Sequence, residues 1–329
     1  MTNAFFPPDG YVFDICTPVQ KEYIRKIHSD GTEDALKWLA TVKNGECSYP
    51  QELSLTWPEG TPPYRVELSE QPDFTDCHGY TVDHNTLSLT NLKAETTYYW
   101  RIRGGEPHTF RTTGSCPRFI RLDGALNVRD LGGNRIRQGL IFRGSAIDGP
   151  FVLTEAGQQV FRDDLHIKTQ IELRKGNEPE KTQSIAVGVH RIYAPYRPYM
   201  EVFEEAHKVG ICKIMEIFAD RSRYPIYFGC MGGADRTGMI ALFLRAIAGE
   251  SDDSIHTDYE LTALSTYAAG AAEGADGFRS RNKPYYRKFL DELQTYAPGQ
   301  PLSSCAVAFL LHCGVTQQQI DQIAAIIQM

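Results

Sequence analysis

A cysteine, five intervening residues and an arginine, Cys230-Met231-Gly232-Gly233-Ala234-Asp235-Arg236, are the residues of this chain best equipped for chemistry. Gly232 and Gly233 permit backbone conformations closed to other residues, so successive N–H groups can turn inward as an anion nest. Met239, Ile240, Leu242, Phe243, Leu244 and Ile247 follow at helical spacing. The positive N-terminal end of that helix adds to the pull on a phosphate-sized dianion. Arg236 has the planar fork that spans two phosphate oxygens, and a cation at a helix start is out of place without an anion beside it. The same field favours the thiolate of Cys230, its nucleophilic form. A thiolate beneath a cradled phosphate implies attack on phosphorus and a phosphocysteine intermediate.

Other residues carry two readings each. Met231, Gly232, Gly233 and Ala234 supply the cradle. Thr237 is a hydrogen-bond donor to the thiolate or a plain helix cap. Asp235 is a general acid that protonates the leaving-group oxygen, or simply a favourable charge at a helix start. Asp130 is the competing acid, or a turn former before Gly132-Gly133. Arg129, Arg143 and Arg174 brace the loop, or pair with Glu172 and Glu178; Arg129 and Asp130 are also placed among the substrate-binding residues. The basic and aromatic run Arg281 to Lys288 is read as a solvated helix face before a substrate-guiding rim. The nine histidines show no ligand spacing, and neither metal nor cofactor is called for.

The segment Gly229-Cys230-Met231-Gly232-Gly233-Ala234-Asp235-Arg236-Thr237-Gly238 resembles the phosphate-binding loop of cysteine-dependent tyrosine phosphatases, in particular the bacterial branch whose loop reads His-Cys-x-x-Gly-Lys-Asp-Arg-Thr-Gly. Asn127-Val128-Arg129-Asp130-Leu131-Gly132-Gly133, Leu140 to Ser145, Ile171 to Arg174 and Asp258 to Thr262 resemble further blocks of that branch, in its order, over roughly residues 116–329. The resemblance implies a metal-free protein tyrosine or dual-specificity phosphatase, with the loop aspartate, Asp235, as the acid. Two departures stand out. The branch's His before the nucleophile is Gly229, which weakens support for the thiolate; its loop Lys is Ala234, which removes a charge suited to extra phosphates, as on phosphoinositides. They leave open a degenerate phosphatase that binds phosphorylated ligands without hydrolysing them. A scaffold or adhesion protein with the phosphatase fold as passenger is a further class, and a sulfurtransferase would not require the arginine at the loop's end.

The totals suit a soluble enzyme: 329 residues, 42% hydrophobic, 23% charged. A net charge of −7 disfavours nucleic acid or an anionic membrane as partner, so phosphate attraction is local to the loop. The partner expected is a phosphorylated protein or a small phosphomonoester. No leader or membrane-spanning run is visible. Of eight cysteines, seven read as scattered buried thiols, which favours a reducing cytoplasm, although a secreted form with a trimmed leader would look the same.

The elements divide the chain in three. Residues 1–48 read as a helical extension, with Thr17-Pro18-Val19-Gln20 opening one helix and Leu36, Leu39 and Val42 lining another before Asn44-Gly45. Within 49–114 the period switches to two: Leu53, Leu55, Trp57; Tyr64, Val66, Leu68; Leu87, Leu89; Tyr98, Trp100, Ile102. That pattern predicts a small β-sandwich, and Thr96 to Ile102 resembles the most recognisable strand of a fibronectin type III domain. Residues 113–117 read as a linker. Over 115–329, strands at Phe119–Leu122, Leu140–Phe142, Lys168–Leu173 and Ile226–Phe228 alternate with helices at Thr154–Phe161 and Tyr199–Ala219, an α/β domain with a largely parallel sheet. Thr316 to Gln319 is a capping box for a final packing helix. Ligands of such sheets bind beyond the strands' carboxyl ends, where Cys230 falls.

Overall fold

The computed structural model describes residues 4–114, 117–176, 183–267 and 281–329. Glu178 and Cys116, both invoked above, lie outside the described residues. The chain divides into two compact units, Met1–Pro18 with Pro50–Ile120, and Val19–Tyr49 with Arg121–Met329.

The first unit is built from β1 (Tyr11–Asp14), β2 (Leu53–Thr56), β3 (Tyr64–Ser69), β4 (Cys77–Val82), β5 (Thr86–Leu89), β6 (Thr97–Ile102) and β7 (His108–Thr113). One sheet runs β1-β7-β6-β3-β4, and β2 pairs with β5 in a second. Alternation sets the register: Leu53 and Leu55 face Leu89 and Leu87 across the β2–β5 ladder, all four buried. Trp57 and Trp100 meet in the apolar interior with ring centroids 6.3 Å apart. The sequence reading had no strand before residue 53, yet β1 runs parallel to β7 as an edge strand. Cys16, just after β1, is disulfide-bonded rather than a free thiol.

The second unit holds α1 (Pro18–Ser29) and α2 (Thr32–Val42), so the helices read as a separate extension belong to this unit. The Gln20 side chain ties α1 to the carbonyls of Cys47 and Tyr49, and the Thr32 hydroxyl donates to Glu260 at 2.8 Å. Its sheet has the order β11-β10-β12-β9-β8, formed by β8 (Arg129–Asp130), β9 (Ile141–Gly144), β10 (Thr169–Glu172), β11 (His190–Tyr193) and β12 (Ile226–Gly229). All neighbours are parallel except β8 on β9.

No named strand forms at Phe119–Leu122, although Phe119, Ile120 and Leu122 are buried, and the short β8 takes the edge instead. β11 escaped the sequence reading because an edge strand of His-Arg-Ile-Tyr shows no apolar run.

The helices are α3 (Glu155–Gln159), α4 (Glu205–Ala219), α5 (Asp235–Ile247), α6 (Asp252–Glu260), α7 (Pro284–Gln294), α8 (Leu302–His312) and α9 (Gln317–Ile327). Thr154 caps α3 through the Gly157 amide, and a π turn continues it to Asp164. Thr316 and Gln319 form the expected capping box of α9. The helix expected from Tyr199 is a 3₁₀ turn, Tyr199–Phe203, before α4 begins. In α5 every residue from Thr237 to Ile247 is buried, because this helix follows the sheet's central strand into the core. Among the described residues, no helix is long and apolar enough to cross a membrane.

Candidate active site

Cys230 follows the last residue of β12, and the loop closes at Asp235, the first residue of α5. What shapes the loop is the destination of its carbonyls. Gly229 accepts from the Leu173 amide (3.0 Å) and Met231 from the Ala146 amide (3.1 Å). Asn127 Nδ2 donates to both Gly232 and Gly233 (3.1 Å each), and Arg143 donates to Gly233 at 2.6 Å. The Tyr196 hydroxyl donates to the carbonyl of Arg236. With so many carbonyls drawn to the scaffold, the amides of Met231, Gly232, Gly233 and Ala234 find no acceptor among the described residues. Gly233 sits at φ 66°, and a Cβ there would meet the Gly144 carbonyl and Ser145 N, so the tight turn requires glycine.

Beneath the loop is a buried cluster of charge. Asp258 pairs with Arg129 (2.9 Å), with Arg143, and with Arg245 at 3.5 Å. Arg245 also pairs with Glu250 at 2.6 Å, so three guanidiniums face two carboxylates. Burial alone would raise the Asp258 carboxyl, but Arg129, Arg143 and Arg245 outweigh it and hold Asp258 well below the usual carboxylate range. Arg129 moves down, to about 10, first through burial and then through repulsion by Arg143. Crowding of guanidiniums contributes to both shifts, holding Asp258 down and, after burial, lowering Arg129.

The predicted residues separate in space. Cys230 is buried at the loop floor, only 4% exposed. Burial first, and the neighbouring Cys230 next, push the hydroxyls of Tyr196 and Tyr227 well above the usual tyrosine range. Arg236 is partly exposed, and its buried Nε has no hydrogen-bond partner among the described residues. Asp235 accepts a hydrogen bond from the Tyr199 hydroxyl. Thr237 Oγ1 is buried with no hydrogen-bond partner among the described residues, so neither its bond to the sulfur nor a capping bond is made.

Arg129 and Asp130 do not line the cradle. Both are fully buried; Arg129 spends its donors on Asp258 and Asn127, and the Asp130 oxygens accept the amides of Gly132 (2.8 Å) and Gly139 (2.6 Å). Asp130 is therefore the turn former. Arg143 braces the loop directly, whereas Arg174 pairs with Glu172 and Asp148. In the basic and aromatic run, Arg281 pairs with Glu260 (2.9 Å) and Asp253 (3.0 Å), and Tyr286 is core. No group of acidic, His or Cys side chains fit to hold a metal occurs among the described residues.

The model of the tyrosine phosphatase family matches residues 120–327, the larger part of the chain and all of the site. The chain belongs to the tyrosine phosphatase family. Solved structures are similar at low identity. The core catalytic domain of the PP-IP phosphatase Siw14 from S. cerevisiae shares 16% identity over 44% of this chain and 78% of its own, with a TM-score of 0.33. TpbA from P. aeruginosa, in complex with pTyr, shares 14% over 55% and 89%, with a TM-score of 0.34. A tyrosine phosphatase from the Orf virus shares 15% over 54% and 91%, with a TM-score of 0.25. No curated protein sequence matches significantly. The assignment rests on the family match alone.

Several residues packed around the loop were invisible to motif reasoning. Asn127 and Asp258 lay inside quoted blocks without a role, because their contact with the loop spans more than a hundred residues in one case and three arginines in the other. Tyr196, Tyr199 and Tyr227 left no chemical signal, since a tyrosine in an apolar run reads as core; the only hint was the repeat Pro195-Tyr196-Arg197-Pro198-Tyr199.

Proposed function

We propose that this chain hydrolyses phosphomonoesters through a phosphocysteine at Cys230, with phosphotyrosine on protein as its principal substrate. The supporting observation is the loop from Cys230 to Arg236: its carbonyls are tied outward, while four successive amides and the Arg236 Nε keep unspent donors. Such donors, above a buried surplus of guanidinium, suit the three peripheral oxygens of a phosphoryl group.

In the first step Cys230 Sγ bonds to phosphorus as the P–O ester bond breaks, and the Asp235 carboxyl gives its proton to the leaving oxygen. In the second, Asp235 takes a proton from water, the water oxygen bonds to phosphorus, and the S–P bond breaks to return the thiolate and release phosphate. Arg236 holds two phosphoryl oxygens through both steps. Asp235 is preferred to Asp130 as the acid because both Asp130 oxygens already hold backbone amides.

Gly229 favours this reading over a degenerate binding module. A Cβ there would stand 2.6 Å from the Ser145 carbonyl oxygen and 3.0 Å from that of Gly144, so glycine answers a packing demand. Tyr227, two residues earlier, bonds to the same Ser145 carbonyl at 2.7 Å. The decisive measurement is turnover of p-nitrophenyl phosphate. Wild-type protein no faster than Cys230→Ser would end the proposal.

We also propose that the first unit is a fibronectin type III-like sandwich, supported by its seven short strands in two sheets and its buried tryptophan pair. The disulfide at Cys16 supports an oxidising compartment in place of the reducing cytoplasm expected above. Alkylation of the unfolded, unreduced protein should therefore leave Cys16 unlabelled.

A further inference from the structure

Two tyrosines on one short segment reach adjacent residues at the start of α5, one through a backbone carbonyl and one through a side chain. The segment Pro195 to Tyr199 leaves the sheet after β11; Tyr196 donates to the carbonyl of Arg236, and Tyr199 donates to Oδ1 of Asp235. Tyr199 is held for this contact at some cost. It is a bulky residue at φ 59°, in the left-handed region that side chains disfavour. Three contacts fix it there: its amide donates to Met239 Sδ at 2.9 Å, its hydroxyl lies 2.7 Å from that of Tyr259, and Tyr285 packs edge-on at 4.7 Å between centroids. Tyr259 is itself stacked on Tyr286, with centroids 4.1 Å apart and rings nearly parallel. Tyr259 follows Asp258, so the support behind Asp235 and the buried arginine cluster hang on the same helix, α6.

We infer that Tyr199, backed by Tyr259, is a positioning residue that fixes the carboxyl of Asp235 for proton donation to the leaving group. This rests on the reading of Asp235 as the general acid. A hydroxyl donating to Oδ1 sets the carboxyl's rotation and leaves the acidic proton to Oδ2, the oxygen that must meet the ester. A carboxyl without that contact still carries a proton but presents it in several orientations, and the cost falls on substrates whose leaving group cannot depart as an anion. The strain at Tyr199 has a use on this account: a relaxed backbone would swing the ring away from the start of α5.

The experiment compares phenyl phosphate, whose leaving group needs a proton, with p-nitrophenyl phosphate, whose leaving group departs without one. Tyr199→Phe deletes one oxygen and keeps the ring. It should widen the ratio of the two kcat/KM values, which report only the steps through P–O cleavage, about tenfold, a part of the ~10²–10⁴ that general acid catalysis supplies. KM for each should stay within about twofold and the p-nitrophenyl rate within about threefold. Tyr259→Phe, which removes only the outer hydroxyl, should widen the ratio about threefold, and it keeps the test open if Tyr199→Phe folds poorly. Equal losses on both substrates would reduce Tyr199 to structural support and overturn the inference, as would no loss on either. Asp235→Asn separates the two levels. If it leaves the ratio unchanged, the acid assignment falls and the inference with it; if it widens the ratio and the tyrosine variants do not, the positioning role alone is wrong.

Discussion

The phosphatase unit contains two buried clusters of ionised side chains, and they differ in stoichiometry. Around Asp258, the guanidiniums of Arg129, Arg143 and Arg245 outnumber the carboxylates, and Arg143 reaches on to the loop carbonyl of Gly233. In the other cluster Arg174 and Arg191 share Glu172 and Asp148, two against two among the described residues, and tie the ends of β10 and β11 to the segment after β9. A balanced cluster satisfies itself and serves the sheet. A cluster with surplus positive charge has field left over, and here that field lies under the amides of the Cys230 loop. Counting charges in a buried cluster thus separates an arginine that builds the fold from one that prepares a site.

The largest expected effect is at Asp258. Asp258→Asn removes the anion the guanidiniums share, and should cost about 3–5 kcal/mol in urea unfolding, as for a buried pair that loses one partner. Turnover by the molecules that remain folded should fall too, because Arg129 and Arg143 lose their anchor beneath the loop. The loss should depend on pH. Asp258 sits below its ordinary value of 3.8, so its contribution is fully present above that value and disappears as pH falls through the native one. The gap between wild type and Asp258→Asn should therefore narrow as pH falls below 3.8, and a constant gap would refute the charge-based account.

Next comes Glu172→Gln in the balanced cluster, expected to cost about 3 kcal/mol, with Asp148 still present to hold the arginines. The kcat of the folded fraction should stay within about threefold of wild type. Should it fall as far as in Asp258→Asn, the division into structural and site-preparing clusters collapses.

The smallest effect is predicted for Asp130→Asn. One of its two amide contacts loses its acceptor, at about 1–3 kcal/mol, while the basic limb of the pH–rate profile stays in place. Asp235→Asn should erase that limb, and an exchange of these two outcomes would return Asp130 to the role of acid.

Local sequence was enough for the loop, because its requirements are local: glycines where the backbone turns tightly, a cysteine after a strand, an arginine at a helix start. The same holds for the alternation of Leu53, Leu55, Leu87 and Leu89 and for the capping box at Thr316, whose causes lie within a few residues. It failed where pairing decides. Phe119–Leu122 has the composition of a strand but packs without forming one, and β11 becomes a strand through its place beside β10 rather than through any pattern of its own. The helices before residue 49 read as an appendage because nothing in Gln20 or Thr32 announces that their partners are Cys47, Tyr49 and Glu260.

What the sequence determined by itself is the set of groups gathered at one place: a cysteine, tightly turning glycines and an arginine, set by residue type and spacing over ten positions. The tertiary structure alone decided which of four arginines and two aspartates stand at that loop. Charge interactions and hydrogen bonds act over a few ångströms of space, and residues as far apart in the chain as Asn127, Tyr199 and Asp258 become neighbours only when the sheet is assembled.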